Sequence, residues 1–347
     1  MRFSGRSQAR SPWRRRAAVA VSAALASAVV GVPAVAALRS GPRIVRSLHI
    51  APVPTSVADD GVHVWVTTTG TGFGDGVTEI DARSGKIVRA IAVGFAPTGI
   101  DSDGRFAWVT SEAGFISAID TRTGRIVRSV FVGSPAVDLA SDGRHVWVTH
   151  NILGGFGTDV TEVSAATGTI IRTVQVRPGV AAISADKRHV WVASAGSGFA
   201  PGHTVTEIDE ATGRVVRTIG VGEFPIAIAA DGRRVWVAAP GGLVTSINAA
   251  TGRRLHTREI GPFLSGIASD GPHVWVSSAS LGSVAELDPG SALVTHTLNV
   301  GPGPAALAVD GASVWVAESG TGSSAPGDTV TEIGLPGGHR IPRHGGA

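Results

Sequence analysis

Seven tryptophans mark one position in a repeating unit: Trp65, Trp108, Trp147, Trp191, Trp236, Trp275 and Trp315. They are separated by 43, 39, 44, 45, 39 and 40 residues. A single repeat of this size has no way to bury its apolar face alone, so successive copies must stack on one another. Strand-like segments at that period predict propeller blades. The unit PTGIDSDGRFAWVTSEAGFISAIDTRTGRIVRSVFVG divides into strands A (TGIDS), B (FAWVTS), C (FISAID) and D (RIVRSVFV). The predicted fold class is therefore all-β: a seven-bladed β-propeller of four-stranded antiparallel blades.

Turn chemistry supports this division. Asp-Gly closes the A–B turn at Asp60-Gly61, Asp103-Gly104, Asp142-Gly143, Asp231-Gly232, Asp270-Gly271 and Asp310-Gly311. That pair tolerates the positive φ angles of a tight hairpin. The fourth unit has Asp186-Lys187 instead, which predicts a strained or longer hairpin. Glycine recurs in the C–D turn at Gly85, Gly124, Gly168, Gly213 and Gly252, and the later units place Pro289-Gly290 and Pro336-Gly337 there. Glu79, Glu162, Glu207 and Glu286 on strand C are each followed ten residues later by Arg89, Arg172, Arg217 and His296 on strand D. Such residues face each other in a hairpin, where opposite charges contribute roughly 0.2–1 kcal/mol. The pattern reads as a solvated sheet face. One tryptophan per blade reads as packing between blades, each burying about 150–250 Å², worth at most about 4–6 kcal/mol. His63, His145, His189 and His273, each two residues before its Trp, read as structural by the same recurrence.

The seventh unit loses its fourth strand after VWVAESGTGSSAPGDTVTEIG. The tail GGHRIPRHGGA contains Pro342, which has no N–H for a sheet ladder. RIVRSLHIAPVP near the N-terminus aligns with RIVRSVFVGSPA of the second unit. Arg43 to Ile50 is therefore expected to close the ring by pairing with Val330 to Ile333, with Arg46 beside Glu332. The domain reading is 1–38 leader, 39–334 propeller and 335–347 tail.

The leader has its own logic. Arg2, Arg6, Arg10, Arg14, Arg15 and Arg16 precede 22 uncharged residues, Ala17 to Leu38, with Ala34-Val35-Ala36 as an A-x-A site. This is the layout of a secretory signal peptide. An uncleaved N-terminal membrane anchor is the alternative, because such a stretch just spans a bilayer. Either reading places the propeller outside the cytoplasm, secreted or in the cell envelope. Cleavage would have to fall before Arg43. Removing six Arg and no acids turns the formal charge of +3 into 24 basic against 27 acidic residues, or −3. A mildly acidic body lacks the field that binding a phosphate backbone needs, which excludes nucleic acid as partner. The chain has no Cys, so disulfides and thiolate metal sites are excluded.

The stretch VWVTTTGTGFGDGVTEIDARSGKIVRAIAVGFAPTGIDSDG resembles the YVTN-type β-propeller repeat. Trp65 stands for its Tyr, Val66-Thr67 keep its V-T, Val77 to Asp81 match its third strand, and Ala92-Val93-Gly94 match the end of its fourth. The resemblance runs over roughly residues 43 to 334. It implies the propeller fold and, less specifically, a binding or surface-layer role. Trp315-Val316-Ala317-Glu318 also resembles the tryptophan strand of streptogramin-lyase propellers, which implies a metal-assisted lyase with a site at the channel mouth.

Candidate functional residues follow from blade geometry. The D–A and B–C loops share one face, termed the top. Phe73, Phe95, Phe156, Phe199, Phe224 and Phe263 fall in predicted top loops, and apolar rings on loops point to a ligand or partner surface. Local stapling of the long loops is the alternative. The position three after each Trp reads Thr68, Ser111, His150, Ser194, Ala239, Ser278 and Glu318. His150 and Glu318 break this small-residue pattern. With Glu112 and Asp138 they are the residues a catalytic or divalent-metal site, Mg²⁺ for example, would use. No G-x-S-x-G, P-loop or H-E-x-x-H motif is present. The leading expectation is an exported, non-enzymatic propeller that binds a protein, glycan or small ligand by its top face, with no cofactor. A metal-dependent lyase and a surface-layer structural protein are the alternatives.

Overall fold

The computed structural model describes residues 41–69, 75–133, 135–150, 157–197, 200–222, 224–321 and 326–338. The leader and the last nine residues lie outside them. The described residues form 28 strands in seven four-stranded antiparallel sheets, each ordered A-B-C-D. No helix occurs among them. The seven A strands stand side by side around a central channel.

The tryptophans hold the ring together. Each side chain is fully buried and packs into the core of the following blade. Trp65 meets Ile100, Val109 and Ile119 of blade 2. Trp147 meets Ile183, Val192 and Ile208 of blade 4. Trp315 meets Val57, Val66 and Ile80 of blade 1, so blade 7 grips blade 1 by the same device.

The Glu–Arg pattern has a different meaning from the solvated face expected. The register does set Glu79, Glu162, Glu207 and Glu286 opposite Arg89, Arg172, Arg217 and His296. Arg89 Nε lies 2.8 Å from Glu79 and Arg172 Nε 2.6 Å from Glu162. Yet Glu79, Glu162 and Glu207 are buried. The reason is that the arginine reaches past its own glutamate to the next blade and caps the seam. It donates there to a carbonyl of the C–D turn: Arg89 to Thr123, Arg172 to Ala211 at 3.5 Å, Arg217 to Ala250 at 3.2 Å. Arg128, which faces Ala118, makes the same crossing to Ala166 at 2.6 Å.

That crossing explains the turn glycines. Gly124 and Gly252 have φ of 67° and 68°, a region costly for residues with a Cβ. A Cβ on either would also lie 2.5 or 2.6 Å from the Cδ of Arg89 or Arg217 above it. Blade 6 corrects the sequence alignment. Its left-handed residue is Ala292, φ 58°, rather than Gly290. The side chain crossing from blade 5 is His256, whose Nε2 lies 2.9 Å from the Gly290 carbonyl oxygen. In the A–B turns, the aspartate Oδ1 accepts the next two backbone N–H groups beyond the glycine, as Asp60 does from Val62 and His63 at 2.9 and 2.7 Å. Lys187 keeps this turn at its usual length, and strain is its cost: its φ is 72°.

The ring closes as expected. The strand Arg43–His49 pairs antiparallel with Pro326–Gly334, with Arg46 opposite Glu332 and Leu48 opposite Val330. Arg46 Nε stands 2.7 Å from a Glu332 oxygen. The Ile50 N–H continues the contact, donating to the Asp328 carbonyl at 2.7 Å.

Candidate functional site

Strand A begins at the D–A corner, and the chain turns into it through a residue of positive φ. That residue is Val53 (54°), Ala96 (46°), Gly179 (76°), Phe224 (52°), Phe263 (51°) or Gly303 (64°) in blades 1, 2, 4, 5, 6 and 7. The geometry is imposed by hydrogen bonding. In blades 1, 2, 4, 6 and 7 the carbonyl of this residue accepts the N–H beyond strand B, as in Thr69 to Val53 at 3.0 Å and Ala279 to Phe263 at 2.9 Å. In blade 5 the Phe224 N–H donates instead to the Gly202 carbonyl at 2.9 Å. Blades 4 and 7 meet the demand with glycine. Blade 6 meets it with a bulky ring, and Phe224 of blade 5 holds the same backbone conformation; each costs about 1–2 kcal/mol in the left-handed region.

These rings are not there to fill a core. Phe95, Phe224 and Phe263 are 67%, 43% and 64% exposed. Phe73, Phe156 and Phe199 lie outside the described residues. Two further aromatics join the top rim. Phe115 opens strand C of blade 2 and Phe131 ends its strand D. They face each other across the sheet with ring centroids 5.0 Å apart, and both are exposed. Blades 5 and 6 add the exposed Leu243 and Leu281. The top rim thus carries two apolar groups. One is on blade 2 (Phe95, Phe115, Phe131). The other is on blades 5 and 6 (Phe224, Leu243, Phe263, Leu281), half a turn of the ring away.

His150 and Glu318 take equivalent positions in blades 3 and 7, and both point back into their own blades. His150 is buried, with Nε2 2.8 Å from Thr161 Oγ1. Glu318 is buried and lies against Gly301, where a Cβ would come within 2.1 Å of its Oε2. Burial pushes its carboxyl above the usual range, against a hydrogen bond from Thr331. Glu112 is exposed beside the blade 2 corner. His150, Glu318 and Glu112 are not brought together: the one group of three metal-type donors among the described residues is Asp142, His145 and Glu210, on the opposite face.

The channel holds two cavities of about 210 and 260 Å³, lined by small and aliphatic residues with Asp59, Asp101 and Asp138. Asp101 and Asp138 satisfy the inner sheet edges, which have no further strand to pair with. Asp101 accepts the Ser141 N–H of the next blade at 2.8 Å, and Asp138 accepts Ile183 N–H at 3.1 Å and Leu139 N–H at 2.9 Å. Burial raises the Asp138 carboxyl to about 7 despite those two donors.

The architecture is that of a seven-bladed β-propeller with an aromatic top rim. No protein-family model matches the chain, and no curated protein matches it. Among solved structures it is similar to a chain of Kuenenia stuttgartiensis hydrazine synthase, with a TM-score of 0.64 and 18% identity over 77% of this chain and 93% of that one. At that identity the likeness shows the fold alone.

Proposed function

We propose that this is an exported, non-enzymatic propeller whose top face binds an extracytoplasmic protein, glycan or small ligand. The carrying observation is that Phe224 and Phe263 hold exposed rings at corners where blades 4 and 7 use glycine. Backbone strain clusters at binding and active sites, and these two positions combine it with an exposed ring. Aromatic rings supply contact area at small entropic cost, which suits them as binding anchors. The two apolar groups on opposite sides of the channel mouth favour an occupant that spans the mouth.

The test separates binding from folding. Glycine at positions 224 and 263 relieves about 1–2 kcal/mol of strain each against about 0.5–1 kcal/mol of added unfolded-state entropy. The double variant Phe224→Gly/Phe263→Gly should therefore remain at least as stable as the parent. It should lose at least ~10-fold in affinity on glycan arrays or immobilised envelope proteins, as expected when anchors worth over 1.4 kcal/mol are removed. Undiminished binding by the folded variant would overturn the reading.

A further inference from the structure

We infer that Asp142, His145 and Glu210 form a site for a divalent transition-metal cation, of the Zn²⁺ or Mn²⁺ kind, that stitches blade 3 to blade 4 at the bottom of their seam. The A–B turn of blade 3 supplies Asp142 and His145, and the C–D turn of blade 4 supplies Glu210. One ligand atom from each lies within 4.8 Å of the others, and His145 Nδ1 contacts Glu210 Oε1. An imidazole with two carboxylates is a donor set for such cations, whereas Ca²⁺ and Mg²⁺ favour oxygen alone.

The repeat supplies its own controls. Position 210 is occupied in the other C–D turns by Ala82, Thr121, Ala165, Ala249, Pro289 and Leu335, so Glu210 is an addition to the unit. The Asp142 carboxylate is also arranged differently from most of its counterparts. Its Oδ1 accepts the Arg144 and His145 N–H groups, both at 2.7 Å, as the turn requires. In blades 1, 2, 4 and 5 Oδ2 has a donor from Trp or from a serine of the next blade, whereas Asp270 of blade 6 faces its own His273 Nδ1 at 3.1 Å, as Asp142 faces His145. Asp60 takes Trp65 Nε1 and Ser102 Oγ at 3.2 Å each, Asp186 takes Trp191 Nε1 at 3.2 Å, and Asp231 takes Ser269 Oγ at 3.0 Å. In blade 3 the next-blade residue is Ala185, and Trp147 Nε1 has no partner. Asp142 Oδ2, on a side chain only 5% exposed, is turned instead toward His145 Nδ1 at 3.6 Å.

Behind the imidazole, Glu162 Oε1 is buried without a hydrogen-bond partner, 3.6 Å from His145 Nε2. A carboxylate on one ring nitrogen fixes the tautomer and aims the other nitrogen's lone pair at a metal. His63 and His189 have the same backing from Glu79 and Glu207, at 3.7 and 3.6 Å, but no third acid. Two carboxylates facing one imidazole leave surplus negative charge in a half-buried seam, which a dication balances. His145 and Glu210 remain 25% and 13% exposed, so water has access to complete the coordination.

The experiment is calorimetric titration of the chelator-treated full-length protein with ZnCl₂ or MnCl₂ alone, with anomalous scattering from crystals grown in the same metal. One equivalent should bind, with a scattering peak between the three side chains. Glu210→Ala should lose at least ~10-fold in affinity. It should fold normally, because alanine stands at the same position in three other blades and the 210 N–H bond to Arg188 O is a backbone contact. His189→Ala, at a seam without the third acid, should leave the titration unchanged. No saturable binding, undiminished binding by Glu210→Ala, or equal binding of CaCl₂ would each overturn the assignment.

Discussion

Substituting Arg46 by Ala tests how the ring is held shut. Arg46 Nε lies 2.7 Å from a Glu332 carboxylate that is 4% exposed, and the arginine itself is 28% exposed. The same guanidinium donates to the Ser84 carbonyl of blade 1. Its loss would take the guanidinium from a buried carboxylate, leaving the Ser313 hydroxyl bond at 2.8 Å, and unpin one seam at once. Breaking a buried ion pair costs about 3–5 kcal/mol, and partial exposure of the arginine reduces this to about 2–3 kcal/mol. Arg89→Ala removes the matching contacts to Glu79 and Thr123 within the chain's interior. The two variants should therefore lose similar equilibrium stability in urea with unchanged m-values. Arg46→Ala should in addition unfold faster, because it alone loosens the join between the two ends of the chain. A double-mutant cycle with Glu332→Gln should return a coupling of about 2 kcal/mol. Truncation after Gly338 should leave stability unchanged. A loss below about 0.5 kcal/mol in Arg46→Ala, or a larger loss on truncation, would refute the clasp and give the closing role to the tail.

Two further perturbations follow from local geometry. Lys187→Gly removes a left-handed non-glycine residue, φ 72°, from a turn that six blades close with glycine. It should raise stability by about 0.5–1 kcal/mol in denaturant melts, and a loss of stability would show that the lysine side chain has another role. Asp138 binds a proton more tightly folded, at about 7, than unfolded, where Asp titrates near 4. Its contribution is therefore fully present below about pH 4 and is lost as pH rises through 7. The loss is on the order of 3–4 kcal/mol. A ¹³C titration of the Asp138 carboxyl should show a midpoint near 7, and a midpoint near 4 would dismiss the effect.

The legible part of the fold was whatever recurs along one strand or across one turn. Trp65 and its six counterparts, the Asp-Gly pairs and the RIVRS fragment each carry their geometry within a few residues of sequence. What lay beyond reach depends on neighbours in another blade. The arginines of strand D looked like solvated partners of glutamate because their second bond, as in Arg217 to Ala250, crosses a seam of unknown width. Phe115 and Phe131 read as ordinary strand residues, and their exposure follows only from their place at the upper end of an outer hairpin. Glu210 sat in an unremarkable turn, 65 residues from His145. The signal that would have flagged it was the alanine or threonine at the same position in neighbouring units.

Symmetry itself sorts the residues into two kinds. In a ring of equivalent blades, any side chain repeated in most units is accounted for by contacts that every seam needs: tryptophan in the next core, glutamate under arginine, aspartate on its own turn. Such positions have little freedom to adopt a separate task, because a change in one weakens a seam that all blades share. Departures from the repeat carry no such explanation and must be justified locally. Asp101 and Asp138 pass this test as structural, since each saturates a backbone donor of the next blade. Lys187 shows no compensating contact and reads as tolerated strain. Phe224 and Phe263 add strain and exposure together, while Glu210 adds a second carboxylate to the His145 imidazole that Asp142 already faces. The last two departures are the ones that folding does not require, and they lie on opposite faces of the ring. A variant that restores the repeat at one face, Glu210→Ala, should therefore leave partner binding at the other face untouched, and loss of both together would mean that the two faces communicate through the seam between blades 3 and 4.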